Sequence, residues 1–403
     1  MNAPLSPSGG LRVCQMIDTL DWGGAQVILV QMTKAMCQRG IDVSVVSLVD
    51  GSKRKSQNPA PYSDQLIELG VPIEQVPARG IGNLKRISRL VSYLRNGKFD
   101  VLHTSLQYAN ILGNIAGRLA GVPVVSSLHS TEVDPLHYEP TRYRLENFLL
   151  HHAASRVIAI GYAVASANQR RVGSRHVDII PNAVSIPPLL SNHRRQKIRL
   201  ELTGDAERPL VISVGRLSPP KCYDDLLEVF AGVRNERPDA FLAIVGDGSL
   251  RQELEAKIAS LNLNDDVLLT GARTDVSDLL GAADLYVSSS NREGLSVAML
   301  EAMAAGLPVI STDVGDAPHL LASRPDQPAV GILVPASQPQ PLMHAIINLL
   351  DDPAQAARMG SAARQRVIDE NSIDGWCDRI LSLYGEVSRR KGDHSTGEQD
   401  ETR

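Results

Sequence analysis

Residues 292–313 read REGLSVAMLEAMAAGLPVISTD. Ser296 is a favourable N-cap, Val297 to Ala305 favour helix, Gly306 suits the left-handed position after the last turn, and Pro308 forbids continuation. Val309-Ile310-Ser311-Thr312 then reads as a buried strand. Two acids frame the helix. Within one continuous helix the eight-residue spacing of Glu293 and Glu301 would set them about 80° apart. Glu293, however, precedes the cap and belongs to a loop that can bend toward whatever the helix N-terminus faces. Gly294 permits close backbone approach, and the first turn offers N–H groups and a partial positive charge. That is an anion site. Two carboxylates beside it suit hydroxyl-rich groups attached to a phosphate.

Strand-like runs alternate with helical periodicity along the rest of the chain, the pattern of parallel α/β sheets. In the first half, strands are expected near 11–17, 42–48, 100–104, 122–128 and 156–160, with helices at 25–39, 83–96 and 107–120. In the second half, strands near 209–214, 240–245, 267–270, 284–288 and 308–312 alternate with helices at 223–235, 249–261, 275–281 and 297–305. Between them SIPPLLSNHRRQKIRLELTGDAER (185–208) is rich in proline and charge and reads as a linker with one helix. The expected domains are therefore 11–184 and 209–372, each a doubly wound Rossmann-like sheet. Residues 1–10 read as a flexible start. The amphipathic segment 373–388, with Trp376, Leu381 and Tyr384, reads as a helix packing back on the first domain. RRKGDHSTGEQDETR (389–403) reads as a disordered tail.

A chain of 403 residues suits two domains, and 43% hydrophobic with 21% charged residues describes a globular protein with ample core. The net charge of −4 argues against general nucleic-acid binding. Residues 1–185 hold 19 Lys+Arg against 13 Asp+Glu, so the first half is the basic one. The cysteines Cys14, Cys37, Cys222 and Cys377 make no paired motif, which fits a reducing cytoplasm better than a metal or disulfide framework. MNAPLSPSGG lacks the pattern of a signal peptide, and no apolar run reaches membrane-spanning length. Neither half has a clean G-x-G-x-x-G with an acid about 20 residues on, which disfavours a dinucleotide enzyme.

Four more loops fall at strand ends, where open α/β sheets bind ligands. LDWGGAQ (20–26) places Gly23 and Gly24 at a strand–helix junction; paired glycines alone usually just make a turn. SSLHSTE (126–132) ends its strand on His129, a residue type more often merely capped or exposed than catalytic. VGRLSPPKCYDD (214–225) carries Arg216 and Lys221, two cations able to neutralise a diphosphate, though equally consistent with a solvated basic loop. VGDGSL (245–250) is a glycine-rich turn around Gly246.

Taken together with the E-x7-E spacing, these loops resemble the retaining glycosyltransferases of the GT-B fold called family four. The resemblance runs from about Leu11 to Tyr384 and includes IIPNAV (179–184), which is similar to the family's inter-domain segment. It implies two domains facing a central cleft, with acceptor bound by the first and nucleotide sugar by the second. Arg216 and Lys221 would bind the donor diphosphate, with N–H groups at Gly294, Leu295 and Ser296. Glu301 would take the ribose hydroxyls, and Glu293 would sit beside the transferred sugar. Gly246 and, in GARTD (271–275), Arg273 are assigned to the nucleotide side, Arg273 near the base. Gly23 and Gly24 would close over the phosphate, with His129 near the reacting centre. No metal or other cofactor is implied, in keeping with the lack of a D-x-D triplet.

Three departures from the family pattern stand out. Cys222 follows Lys221 where glycine is usual, Ser288-Ser289-Ser290 replaces Pro-Ser, and His319 in GDAPHL (315–320) stands near a usual acid. The expectation is transfer of a hexose to a hydroxyl acceptor in surface polysaccharide or glycolipid synthesis. Against it stand a sugar-nucleotide 2-epimerase of the same fold and a non-catalytic nucleotide-sugar binder. NLKRISRLVSYLR (83–95) reads as an amphipathic helix with Leu84, Ile87, Leu90, Val91 and Leu94 inward. Lys85, Arg86, Arg89 and Arg95 would then face outward and, with Lys53, Arg54 and Lys55, touch anionic lipid at the membrane's inner face. A merely solvated helix face accounts for the same pattern.

Overall fold

In the computed structural model, described for residues 10–48, 61–76, 81–131, 139–173, 175–324 and 327–396, the chain divides into two compact units. Residues up to Pro181, together with those from Ile373 onward, form the first unit, and Asn182–Ser372 form the second. Lys53, Arg54, Lys55, residues 1–9 and residues 397–403 lie outside the described residues.

Seven parallel strands make the sheet of the first unit: β1 (Arg12–Ile17), β2 (Asp42–Ser47), β3 (Ile73–Gln75), β4 (Val101–Ser105), β5 (Val124–Leu128), β6 (Arg156–Ala159) and β7 (Asp178–Ile179). Their order is β3-β2-β1-β4-β5-β6-β7. The second unit repeats the scheme with β8 (Leu210–Val214), β9 (Phe241–Val245), β10 (Val267–Gly271), β11 (Leu285–Ser288), β12 (Val309–Thr312) and β13 (Gly331–Val334), in the order β10-β9-β8-β11-β12-β13. In each sheet the order reverses beside the first strand, between β1 and β4 and between β8 and β11. Such a switch point opens a crevice at the carboxyl ends of the strands, where ligands of doubly wound sheets bind.

The central strands are buried along nearly their whole length because helices cover both faces; most are apolar, though β4 and β5 also bury His103, Thr104, Ser126 and Ser127. In the first unit Met16, Leu102 and Leu112 pack on one face, and Ile17, Leu29 and Leu66 on the other. In the second unit Tyr223, Phe230, Ile244 and Leu285 are buried in one cluster. All ten expected strands are present within about two residues at each end, the usual ambiguity of boundaries. The short edge strands β3, β7 and β13 went unread, as did helices Pro61–Glu68, Pro140–His152, Tyr162–Val172, Pro339–Asp351 and Pro353–Glu370.

Three expectations are revised. The segment 185–208 does not hang between the sheets: its helix Asn192–Thr203 is tied to the second unit by Arg194–Asp278 (2.7 Å) and Arg199–Asp284 (2.9 Å). The last helix does not stop at 388 but runs Ile373–Thr396. It lies in the first unit against helix Gly24–Gln38, where Arg39 donates to Asp374 (3.1 Å). Finally, helix Leu84–Gly97 buries Arg86, at 7% exposure, and exposes Leu84 at 78%. Leu90 and Leu94 are buried and Ile87 and Val91 pack against the same core as expected, so the departure is confined to Leu84 and Arg86 in the first turn. Lys85, Arg89 and Arg95 are exposed as expected, Arg89 pairing with Glu74 (2.6 Å) and Arg95 donating to the Leu119 carbonyl (2.6 Å), so of the four basic residues only Arg86 leaves the outward face. Among the described residues, no helix is long and apolar enough to cross a membrane.

Candidate active site

At the switch point of the second unit, two loops are joined backbone to backbone. Gly215 N–H donates to the Val245 carbonyl (2.9 Å), Leu217 N–H to Asp247 (3.0 Å) and Leu250 N–H to Leu217 (3.1 Å). A Cβ on Gly246 would lie 2.0 Å from the Gly215 oxygen, so glycine is required there by packing between the loops. Gly246 thus supports the loop that presents Arg216, which lies exposed on it.

After the 3-10 turn Pro219–Lys221, Cys222 adopts a left-handed conformation, φ +48° and ψ +46°. A side chain pays for that conformation with about 1–2 kcal/mol, which glycine avoids. The turn sends the Lys221 side chain back across Gly215, where an added Cβ would fall 2.9 Å from Lys221 Cε. The ammonium then pairs with the Glu293 carboxylate, both side chains being about four-fifths buried (20% and 19% exposed). Ser290 donates to the same carboxylate oxygen (3.1 Å). Burial works against charge on Lys221, but Glu293 and the neighbouring Tyr223 outweigh it, and the ammonium pKa rises. The serine run has work here too. Ser289 donates to the carbonyls of Lys221 (2.8 Å) and Cys222 (3.1 Å), fixing the turn to the end of β11.

Ser296 caps helix Val297–Ala304 by position, yet its side chain makes no capping hydrogen bond; it engages the buried Tyr286 hydroxyl instead. Side-chain capping is therefore missing where Gly294, Leu295 and Ser296 enter the helix. Glu301, on the same helix, has no hydrogen-bond partner for its carboxylate among the described residues. Burial raises its pKa to about 7. Burial, above all, raises the Tyr286 phenol pKa well above its ordinary value, and the charges of Glu293 and Glu301 add to the rise. Arg273 goes elsewhere: Asp275 (2.7 Å) and Glu201 (3.2 Å) hold its guanidinium against the helix Asn192–Thr203.

In the first unit, Gly23 and Gly24 open helix Gly24–Gln38, again with no side-chain cap. Asp18, just past β1, accepts N–H bonds from Tyr108 (3.2 Å) and Ala109 (2.7 Å) at the start of helix Gln107–Ala120. Its burial raises the carboxyl pKa to about 7, against the lowering by those N–H groups. Leu106, which leads into this helix, holds φ +77° and ψ 168°, a region nearly reserved for glycine. His129 follows β5; its Nε2 is enclosed and has no hydrogen-bond partner, and burial lowers the imidazole pKa to about 4. Nearby, Glu146 accepts from Asn110 (3.2 Å) and Arg171 (2.7 Å). Asp18 and Glu146 went unnoticed from sequence. An acid directly between a buried strand and the double glycine was a signal for Asp18, whereas Glu146 looks like any helix-surface acid.

Two doubly wound units of this strand order, with loops of this kind at their switch points, define the GT-B class of α/β proteins. The family description "Glycosyl transferases group 1" matches residues 194–366, and "Glycosyltransferase Family 4" matches residues 22–186. The chain belongs to this glycosyltransferase family. Among similar proteins, the UDP-Gal:alpha-D-GlcNAc-diphosphoundecaprenol alpha-1,3-galactosyltransferase of Escherichia coli is 27% identical over 313 residues, 75% of this chain and 80% of that protein. The N-acetyl-alpha-D-glucosaminyl L-malate synthase of Bacillus anthracis is 22% identical over 91% of this chain and 95% of its own length. The crystal structure of Anabaena HepE in complex with UDP-glucose superposes with a TM-score of 0.81 at 25% identity, covering 93% of this chain and all of that one.

Proposed function

We propose that this glycosyltransferase moves a hexose from a nucleotide-diphosphate sugar to a hydroxyl acceptor, with retention and without a metal ion, in making a surface polysaccharide or glycolipid. The observation that carries the reading is the enclosed Lys221–Glu293 pair beside a helix start that lacks a side-chain cap. A cation and N–H donors suit a diphosphate, while carboxylates suit hydroxyls. The names of the Escherichia coli galactosyltransferase and of the HepE complex, both with UDP-sugars, support a nucleotide-sugar donor.

In this reading Arg216 and Lys221 neutralise the departing diphosphate, and backbone N–H groups at Gly294, Leu295 and Ser296 add donors. Lys221 exchanges Glu293 for phosphate, which releases Glu293 to accept hydrogen bonds from the transferred sugar. Glu301 accepts from the ribose hydroxyls. Gly23 and Gly24 offer N–H groups to the phosphate, and the neutral His129 supports the reacting sugar. The acceptor hydroxyl attacks C1 on the face from which the diphosphate leaves. The new C1–O bond forms as the old one breaks, and the hydroxyl proton passes to a phosphate oxygen. Most of the rate enhancement is then stabilisation of charge on the leaving group.

Incubation with a donor labelled in its sugar tests this directly. Label in an acceptor-linked product with unchanged anomeric configuration, surviving excess EDTA, is the expected result. Epimerised donor would point to an isomerase, unchanged donor to a binding protein, and EDTA-sensitive transfer to a metal-dependent mechanism.

A further inference from the structure

The imidazole of His103, on β4, is enclosed and joins the carboxyl-terminal helix to β5. Its Nδ1 meets the hydroxyl of Tyr384 on that helix, and its Nε2 lies 2.6 Å from the Ser127 hydroxyl. The two rings stack edge to face, with centroids 5.8 Å apart. Ser127 is the next-to-last residue of β5, and His129 follows directly on the strand's last residue, Leu128, so the bond to Ser127 holds the backbone that leads into His129. His129 in turn is close enough to His103 to help lower its pKa, after burial, to about 3. At neutral pH both imidazoles are therefore uncharged.

Proton order follows from that neutrality. A neutral imidazole has one donor and one acceptor nitrogen. The Tyr384 phenol, whose pKa burial raises well above the ordinary value, keeps its proton and donates it to Nδ1. That leaves the ring proton of His103 on Nε2, donating to Ser127. The Tyr384 end is itself fixed. Arg39 binds Asp374 and Asp378 (3.1 and 3.4 Å), and Arg156 binds Glu386 (2.8 Å). His129, by contrast, has no hydrogen bond on Nε2 among the described residues to orient it. Its ring direction depends on how the end of β5 is held.

We propose that Tyr384 and His103 are positioning residues for His129, which makes the carboxyl-terminal helix part of the apparatus for sugar transfer. The proposal rests on His129 supporting the reacting sugar. It is tested in the full chain with Tyr384→Phe and His103→Gln, singly and combined, beside His129→Ala. The readouts are kcat, donor KM, thermal midpoint and the NMR shift of the His129 ring Cε1–H. Each single variant is expected to lose about tenfold in kcat, as small misplacements do. Donor KM should stay within about twofold, the His129 resonance should move, and the double variant should lose no more than either single one. Unchanged kcat in both single variants, with His129→Ala inactive, overturns the positioning role while leaving His129 in place. A fall in kcat with an unmoved His129 resonance overturns it as well, because it reports only loosened packing. If His129→Ala keeps its kcat, the catalytic reading of His129 fails instead. The resonance in Tyr384→Phe then still decides whether the network holds that ring.

Discussion

Asp18 and Gly215 occupy the same topological position, each the first residue after the first strand of its sheet. In the first unit Asp18 turns its carboxylate onto the helix that follows the fourth strand, satisfying the N–H groups of Tyr108 and Ala109. In the second unit Gly215 has no side chain, Lys221 crosses the gap, and the helix after the fourth strand starts without a side-chain cap. One switch point thus carries an acid of its own, while the other carries a cation. The same backbone scheme ends differently in the two units: the helix start after the fourth strand is met by an acid in the first, and is left without a side-chain cap beside a lysine in the second.

The contrast breaks most readily at its cation. Lys221→Ala should lower transfer by about 10²-fold or more, the loss expected when one donor to a leaving group is removed. Arg216→Ala should act in the same direction. Steady-state assays with saturating acceptor measure both, and wild-type turnover in the two variants would remove the phosphate assignment from this unit.

Both units hold a buried acid with a pKa near 7, Asp18 in one and Glu301 in the other. Each is raised above its unfolded value of about 4, so the folded chain binds more protons between pH 4 and 7. Their contribution is therefore favourable below pH 4 and is lost as pH rises through 7. Asp18→Asn and Glu301→Gln should each flatten that decline, by on the order of 4 kcal/mol for a carboxyl pKa raised from about 4 to about 7. Urea titrations across pH 4–8 check it. An unchanged slope for Glu301→Gln alone would mean that only the first unit's acid is protonated in the fold.

Gly215→Ala sharpens the comparison by putting a methyl group where the first unit has a whole carboxylate. The nearest atoms, Lys221 Cε and Tyr223 Oη at 2.9 Å, are ends of side chains, so the sheet can accept the change. Lys221 must shift, and a displacement near 1 Å should cost about tenfold in turnover. Full activity with an unchanged thermal midpoint would show that the gap is not what places the cation.

What was legible in the sequence follows the same physics. Strands buried on both faces announce themselves as apolar runs, and all ten such runs are strands; Asp178–Ile179 at an edge is too short to signal anything. That Lys221 and Glu293 stand in loops at the carboxyl ends of strands was readable from the sequence. Their mutual ion pair was not, because it joins positions 72 apart through folding alone. Tyr384 and His103, 281 apart, are further beyond the reach of local pattern. In helix Leu84–Gly97 the periodicity placed Ile87, Leu90, Val91 and Leu94 on the core side, and only the first turn departs from it, with Leu84 outward and Arg86 inward. Arginine's aliphatic stem let Arg86 take the buried position.

The smallest effect concerns Cys222, whose departure from glycine is visible in the sequence and whose left-handed backbone, φ +48°, shows what it costs. Cys222→Gly should relieve the conformational strain of about 1 kcal/mol, partly offset because glycine also gains freedom in the unfolded chain. For a unit of this size the thermal midpoint should rise by about 1–3 °C. The variant also separates two accounts of the turn. Ser289 already holds the Lys221 and Cys222 carbonyls, so if those bonds alone set the turn, activity stays at the wild-type level as stability rises. If the buried cysteine side chain helps to press Lys221 across Gly215, turnover falls while stability rises, a trade of function for relaxation. A lower melting point would contradict both, since it would mean that the left-handed residue is not strained and that the cysteine contributes packing the loop needs.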